Sequence, residues 1–537
     1  MKKHLFLMAA LGLGLAACTN DVLTPEDNAN ITSPDQENST STLKSAKLRV
    51  FQGDQSRVNY SNGTRAEGDE ENGLKPGELK LYATIENPDK EVFANYVDGS
   101  GIRYLSATSI FRNPTDGKYY ATYHFQGNNY NTVLDTSIGG AIQVFSLDEN
   151  GVVNVENGYT ATNREQEDYD FNHIYFDNTA NRIVVVGHKW SVPNSYTGDE
   201  PYTGENTRAI IGAFDPATGL MDYKTITTSI EVRDDNGMLI DHKDAGDGNC
   251  VTRSFSYPYY FVATKEGIAV LEANQEKLFE PVLTGNNTRY FIPTSGSCKY
   301  VLNKPDLGTR LAFLYLTSRP QNTASASTKA NIAEFDVSTY IENNYFEGLI
   351  DPDTKGLYPV PNELNPDSYN YQTPLPEVTP IDGKNTISTI DDETYYVALS
   401  KGGLFYQQYD NLFGGESSLI SGVLTFGDNN MAPVNCVYAE AGIREGYHRG
   451  YVYVANGASL TILDRASLQE VARYTLSAKD EINENEASAN FIHVEIAAEG
   501  YPFKERTITV AYGQAGVRIF KFMPRVSPAW PSETPEL

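Results

Sequence analysis

Cysteine is scarce in this 537-residue chain, with four residues, Cys18, Cys250, Cys298 and Cys436. Their positions do not follow zinc-ligand spacing, which argues against a structural zinc module. Positive charge is also short: 42 Lys and Arg face 70 Asp and Glu, giving a formal net charge of −28. Such an acidic chain is a poor electrostatic match for nucleic acid or for anionic lipid, so cationic or neutral partners fit better. Beyond the first twenty residues there is no apolar stretch long enough for a transmembrane helix. The sequence also lacks a G-x-S-x-G elbow, an H-E-x-x-H pair and a phosphate-binding glycine loop. Carboxylates abound, yet no two of them stand out as a glycosidase pair.

What the chain has in quantity is tyrosine, 36 residues, and glycine, 43 residues, a composition suited to an all-β protein with many turns. The segment TITVAYGQAGVRIFKF (507–522) sets the pattern: two apolar runs flank Gly513 and Gly516, as in a hairpin whose strands are buried on at least one face. Segments 258–273, 394–409 and 450–465 repeat it. Arranged by this unit, the chain reads as seven blades. The first has strands at 107–111, 118–125 and 140–147; the second at 171–176, 181–190 and 208–215; the third at 250–255, 259–264 and 267–273. The fourth is irregular, with 289–294, 297–303, 310–319 and 331–337 competing for places. The fifth has 385–390, 395–400, 403–409 and 418–426, and the sixth has 434–439, 450–456, 459–465 and 470–476. The seventh, with 490–496, 507–512 and 516–522, lacks an outer strand, because the chain then runs into a proline-rich tail, 525–537. An isolated strand at 78–86 matches that deficit. The expectation is an all-β, seven-bladed β-propeller over 77–524, its ring closed by the N-terminal strand pairing with the last blade. Tandem β-sandwich domains are the alternative, since they also show short strands at regular spacing.

The third-strand form, as in AYGQAGVRIF (511–520), resembles the LVIVD-type repeats of exported bacterial propellers, in which a glycine or alanine turn precedes an alternating apolar strand. The resemblance covers part of each blade, and blades two and four depart from it. It implies a fold and an exported protein, and it implies no activity.

The N-terminus carries Lys2 and Lys3, then the apolar run 5–17, then Leu15-Ala16-Ala17-Cys18. This is similar to a bacterial lipoprotein signal, which implies a signal peptide over 1–17 and lipidation of Cys18; the alternative is an ordinary secretory signal. Loss of Lys2 and Lys3 takes the charge from −28 to −30. Asp21, Glu26 and Asp27 follow soon after the cysteine, as in lipoproteins sent to the outer membrane, with the body facing the periplasm or the cell surface. Residues 18–76 are polar and read as a flexible tether, in which only 47–53 has the look of a short strand. With Cys18 lipidated, Cys250, Cys298 and Cys436 remain. They permit one disulfide, Cys250–Cys298, with a spare thiol, or burial of all three as small apolar residues.

Residues near the starts of first strands border the axis of a propeller. By that reasoning Thr108, His173, Arg253, Asn385, Asn435 and His493 face the channel. His173 and His493 occupy nearly equivalent positions in FNHIYF and NFIHVE, as an acid–base or ligating pair or as two histidines bonded within the stack. His188 and Trp190 end a strand beside the loop 191–207; with Tyr196 and Tyr202 there, and Tyr358, Tyr369 and Tyr371 in the loop 353–384, they offer contact area for sugars, aromatic molecules or proteins, or else pack within their loops. Asp234, Asp235, Asp241, Asp244 and Asp247 lie in one run, as a calcium loop without EF-hand spacing or as a solvated turn. The expected function is a non-catalytic binding or scaffold lipoprotein of the cell envelope, with a monomeric body, taking a glycan, a small molecule or a protein. The alternatives are a propeller glycoside hydrolase or lyase, and capture of a metal chelate or cofactor for an outer-membrane transporter.

Overall fold

Strands form wherever β-branched and aromatic residues run between glycine-bearing turns, and the reason they run so continuously is visible in the packing. The computed structural model describes residues 43–61, 74–93, 103–127, 139–148, 151–160, 167–191, 208–233, 239–282, 291–293, 297–304, 310–318, 328–337, 385–391, 393–400, 402–409, 418–427, 432–440, 450–477, 488–496 and 504–525. The chain divides into two units, 1–41 with 231–241 and 42–230 with 242–537; the sheets below belong to the second, except the ribbon β14–β15, whose residues fall in both. Helix is confined, among the described residues, to one short α-helix, Asp89–Phe93, and two 3-10 turns.

The first sheet holds β5 (Arg103–Arg112), β6 (Tyr119–Gly127) and β7 (Ala141–Leu147), extended by β9 (Gly158–Thr160), with β8 (Val153–Val155) also on β7. The second holds β10 (Glu167–Asp177), β11 (Arg182–Ser191), β12 (Arg208–Asp215) and β13 (Leu220–Thr225). A ribbon of β14 (Thr227–Arg233) and β15 (Leu239–Asp244) follows. The third sheet is β16 (Gly248–Arg253), β17 (Tyr259–Thr264), β18 (Gly267–Glu272) and β19 (Phe291–Pro293). The fourth is β20 (Cys298–Asn303), β21 (Arg310–Ser318) and β22 (Thr328–Asp336). The fifth is β23 (Ile387–Thr389), β24 (Tyr395–Ala398), β25 (Leu404–Tyr409) and β26 (Leu419–Leu424). The sixth is β27 (Val434–Ala439), β28 (Tyr451–Asn456), β29 (Ser459–Asp464) and β30 (Glu470–Thr475). The last is β31 (Phe491–Glu495), β32 (Arg506–Ala511) and β33 (Val517–Phe522), beyond which lie β4 (Leu79–Ile85) and β3 (Val58–Tyr60).

Apart from the ribbon β14–β15, each of these sheets packs apolar side chains on both faces. In β11, Ile183 and Val185 join Phe171 and Ile142 on one side, whereas Val184 and Val186 join Val251 and Val262 on the other. Consecutive sheets share apolar cores in this way all along the chain. Cys250 and Phe261 meet Val301 and Phe313; Ala312 and Leu314 meet Ile387 and Val397; Ala398 and Leu404 meet Val437 and Val452. Tyr453 and Leu460 meet Ile492 and Phe520, and Ala511 and Ile519 return to Leu105 and Ala121 in the first sheet. This is a propeller arrangement, and double-faced burial is why its strands read as unbroken apolar runs.

Three sequence expectations need correction. Seven alike blades were expected, but six sheets reach four or more strands, while β20–β22 has three among the described residues. Segment 289–294 does not open the fourth sheet: β19 pairs with β18 and finishes the third, with Ile292 opposite Ile268. Nor are residues 44–60 all free tether. β1 (Lys44–Lys47) pairs with β13, β2 (Arg49–Phe51) with β9, and β3 with β4, so this segment adds outer strands to the second, first and last sheets in turn. Leu48 and Phe51 supply the buried anchors. The strand β4 lies antiparallel to β33, Phe520 opposite Leu81 and Val517 opposite Ile85. Gly516, at φ 78°, turns the chain where a Cβ would strike the Ile85 carbonyl oxygen.

Candidate functional site

The innermost strands share a local irregularity. In β5, β10, β16, β20 and β27 the register slips by one residue, which leaves Thr108, Asn172, Asn249, Lys299 and Asn435 as the bulged residues. Several of these side chains bond to the next sheet's backbone. Thr108 Oγ1 donates to Phe171 O (3.0 Å), Asn172 Nδ2 to Gly248 O (3.0 Å) and Asn249 Nδ2 to Cys298 O (2.7 Å). Asn435 Nδ2 donates to Ala489 O (3.1 Å), and Asn490 Nδ2 to Ala107 O (2.9 Å). Thr108 and Asn435, expected to face the channel, are therefore buried clasps between neighbouring sheets. Asn385 is likewise buried, donating to Ala398 O at 3.0 Å.

His173 and His493 do not share a site. The His173 ring lies edge-on to Phe491 (5.7 Å) and Tyr300 (6.2 Å), side chains from the last and fourth sheets, and Val251 N donates to its Nδ1 at 3.4 Å. His493 instead meets the Tyr119 ring at 6.3 Å, with Glu495 Oε1 3.9 Å from Nε2. Burial and the Arg112 charge push its pKa down to about 4. Arg253 reaches Asp177 at 3.3 Å, where Tyr260 also donates.

Another group of side chains does converge. Asp170 on β10 stands opposite His188 on β11, and His124 lies near the end of β6 on the neighbouring sheet, opposite Ser106. Asp247 comes just before β16. First-strand starts and second-strand ends meet at one end of antiparallel pairs, so all four lie at the end of the ring where the innermost strands begin. His124 Nδ1 is 2.5 Å from Asp170 Oδ2; His188 Nε2 is 3.8 Å from the same oxygen, and His188 Nδ1 is 3.0 Å from Asp247 Oδ1. The Asp170 side chain is fully buried and accepts from the backbone N–H of Phe125 (3.0 Å) and of Phe171 (3.1 Å). Asn172 Nδ2 donates to Asp247 Oδ1 at 2.7 Å, tying this group to the clasp of the second sheet. Glycines leave room for it: a Cβ on Gly140 would come 2.6 Å from Asp170 Oδ1, and one on Gly187 would collide with the Asp170 carbonyl. His124 keeps a third of its side chain exposed, and Asp247 about the same, so the group opens to solvent at both ends.

The electrostatics follow from this placement. Burial alone would lower the His188 pKa, but the charge and hydrogen bond of Asp247, joined by the charge of Asp170, carry it above the ordinary histidine value. Burial likewise works to raise Asp247, and His188, with the His124 and Lys299 charges, takes it below the usual carboxylate range. Asp247 and Asp170 thus both favour the protonated form of His188.

No protein-family model matches the chain, and no curated protein is similar to it. Among solved structures it is similar to the extracellular domain assigned to a hybrid two component system of B. thetaiotaomicron, with a TM-score of 0.37 and 12% identity, over 86% of this chain and 44% of that one. The chain thus spans less than half the length of that structure.

Of the sequence candidates, His188 and Asp247 belong to this group, although for reasons other than those that nominated them. His124 and Asp170 were missed. The signal was in the repeat: His124 and His188 lie near the ends of the second strands of successive blades, and Asp170-Phe171-Asn172 matches Asp247-Gly248-Asn249. Among the described residues no group of three His, Cys, Asp or Glu side chains is arranged to hold a metal ion. Asp244 pairs with Arg208 at 2.9 Å, while Asp234 and Asp235 lie outside the described residues, as does the Asp241 side chain. Cys250, Cys298 and Cys436 are buried free thiols, so the disulfide alternative falls. Cys18, Tyr196, Tyr202, Tyr358, Tyr369, Tyr371 and the side chain of Trp190 also lie outside the described residues.

Proposed function

We propose that this chain is a lipid-anchored envelope protein, tethered through Cys18, whose propeller is a non-catalytic binding module with its ligand site at the end of the ring formed by His124, Asp170, His188 and Asp247. The observation that carries this reading is the convergence of two imidazoles on one fully buried carboxylate that stays open to solvent through His124. Holding an ionised carboxylate in a protein interior costs several kcal/mol unless it is paired, and His124 from the first sheet and His188 from the second supply the pairing. A finer architecture accompanies the reading: β20–β22 is the remaining blade of a seven-membered ring, and β4 closes it. Seven successive apolar cores and the β4–β33 ladder support that count.

The hydrolase alternative is weaker at this site, because both carboxylates are engaged by His188 and neither is left as a free acid or nucleophile. The test is a melting-temperature screen of the mature chain against glycans, metal chelates and envelope proteins, repeated with His124→Ala. A ligand at about 100 times its Kd adds about 2.7 kcal/mol, a shift of several degrees. A shift lost in the variant supports the reading; ligands that stabilise both proteins equally overturn it.

A further inference from the structure

We propose that β26 (Leu419–Leu424), the outer strand of the fifth sheet, is a docking edge that takes an extended, aliphatic strand from a basic protein partner by main-chain pairing. The edge is separate from the ring mouth and stands without it.

The backbone sets the first requirement. Every residue of β26 pairs with β25, from Leu419 opposite Tyr409 to Leu424 opposite Leu404, and no other described strand lies beyond it. Antiparallel pairing on one side uses the N–H and C=O groups of alternate residues, so the others point outward, where they have no partner among the described residues. A row of donors and acceptors at strand spacing is matched by another extended backbone.

Side chains set the second. Outer strands are normally blunted against stray pairing by charge, proline or shortness. In this molecule a lysine or arginine stands in β1, β2, β22 and β30, Pro293 ends β19, and β3 has three residues. The strand β26 has none of these devices: it is six residues long, LISGVL, and carries no charge, and neither does its neighbour β25, LFYQQY. Ile420 and Val423 are each 37% exposed, and among the described residues no other strand leaves two large apolar side chains in the open. Strand alternation puts the two on opposite faces, so an incoming strand with aliphatic side chains is gripped on both.

Charge sets the third. The chain carries a formal net charge of −28, so a second copy meets long-range repulsion while a basic protein is drawn in. An uncharged strand flanked by Lys or Arg satisfies both scales, apolar at the edge and cationic around it.

Peptide titrations test this. The probe is a short peptide of alternating Val and Thr with a pair of lysines at each end, beside its glutamate-flanked counterpart and a form N-methylated throughout its centre, so that neither of its edges can pair. Binding to the mature chain is read by fluorescence anisotropy and by amide hydrogen exchange. The lysine-flanked peptide is expected to bind and to slow exchange across Leu419–Leu424, and the double variant Ile420→Thr with Val423→Thr, which keeps strand-forming residues, is expected to bind it about tenfold more weakly. The N-methylated form keeps every side chain and charge and is expected to lose at least about tenfold as well. His124→Ala should leave all of this unchanged, so failure here and failure of the mouth site are read apart. Outward amides of β26 protected before any peptide is added, equal binding of the N-methylated or glutamate-flanked peptide, self-association of the chain through this edge, or no peptide binding each overturns the proposal.

Discussion

Single residues near the ring mouth carry charge that most of the core avoids, and pH exposes what each contributes. The folded-state pKa of His188 is raised, so its stabilising contribution is fully present below the unfolded value of about 6.5 and is lost as pH rises through the folded value. Asp247 has the opposite sense: its pKa is lowered, so its contribution is present above about 3.9 and lost as pH falls through the folded value. The pair therefore stabilises most between these limits. His188→Gln is expected to lower the melting temperature most near pH 5.5 and progressively less towards alkaline pH, as read by unfolding scans across the range; a deficit that stays constant with pH would show that the His188 charge plays no part. His493 differs in sign. Its pKa of about 4 means that the unfolded chain takes up a proton first, so this residue costs stability as pH falls from about 6.5 towards 4. None of this could be read from the sequence, which shows where a histidine stands and not which carboxylate it meets.

At the scale of elements, legibility follows burial. The central strands were clear because both of their faces are covered, which demands apolar residues at nearly every position, as in VVV (184–186) or YVYVA (451–455). Outer strands such as Leu220–Thr225 and the added strand Lys44–Lys47 were missed, and Arg49–Phe51 showed only as the short strand-like stretch 47–53 within the tether. They are specified by backbone pairing to a sheet that already exists, and a half-exposed edge imposes little periodicity. The shared bulge escaped notice for a related reason: its residue types vary, and only the position repeats. The sheet-to-sheet clasp made by Asn490 gives a prediction. Asn490 is buried, and its Nδ2 reaches from the last sheet to Ala107 O in the first, beside the backbone bridge from Ala107 to Gly513. Asn490→Ala leaves that carbonyl without its side-chain partner and is expected to cost about 1–3 kcal/mol in denaturant unfolding. An equal change at the exposed Asn154, which pairs only locally, should cost less than about 0.5 kcal/mol.

For the molecule as a whole, the question is how the last sheet is finished. Its outer strand comes from the start of the described chain, so the contact that completes it spans most of the sequence. In β4, Leu81, Ala83 and Ile85 are buried, Ala83 and Ile85 against the core that joins the last sheet to the first. Removing them would expose apolar area worth about 1.5–3 kcal/mol for each large side chain and leave β33 as an open edge. The segment 44–60 acts differently: it caps outer edges already formed and contributes few buried side chains. Two deletions separate these roles. A chain lacking residues 19–61 is expected to stay monomeric and cooperative, melting a few degrees lower. A chain lacking 19–86 is expected to lose cooperative unfolding and to associate through the bared edge, as read by calorimetry and light scattering. If the longer deletion instead melted like the shorter one and remained monomeric, β4 would be an ornament on a ring closed by apolar packing alone. The distinction matters for the ligand site, which needs the first three sheets held at fixed separation: His124, Asp170 and Asp247 come from one sheet each.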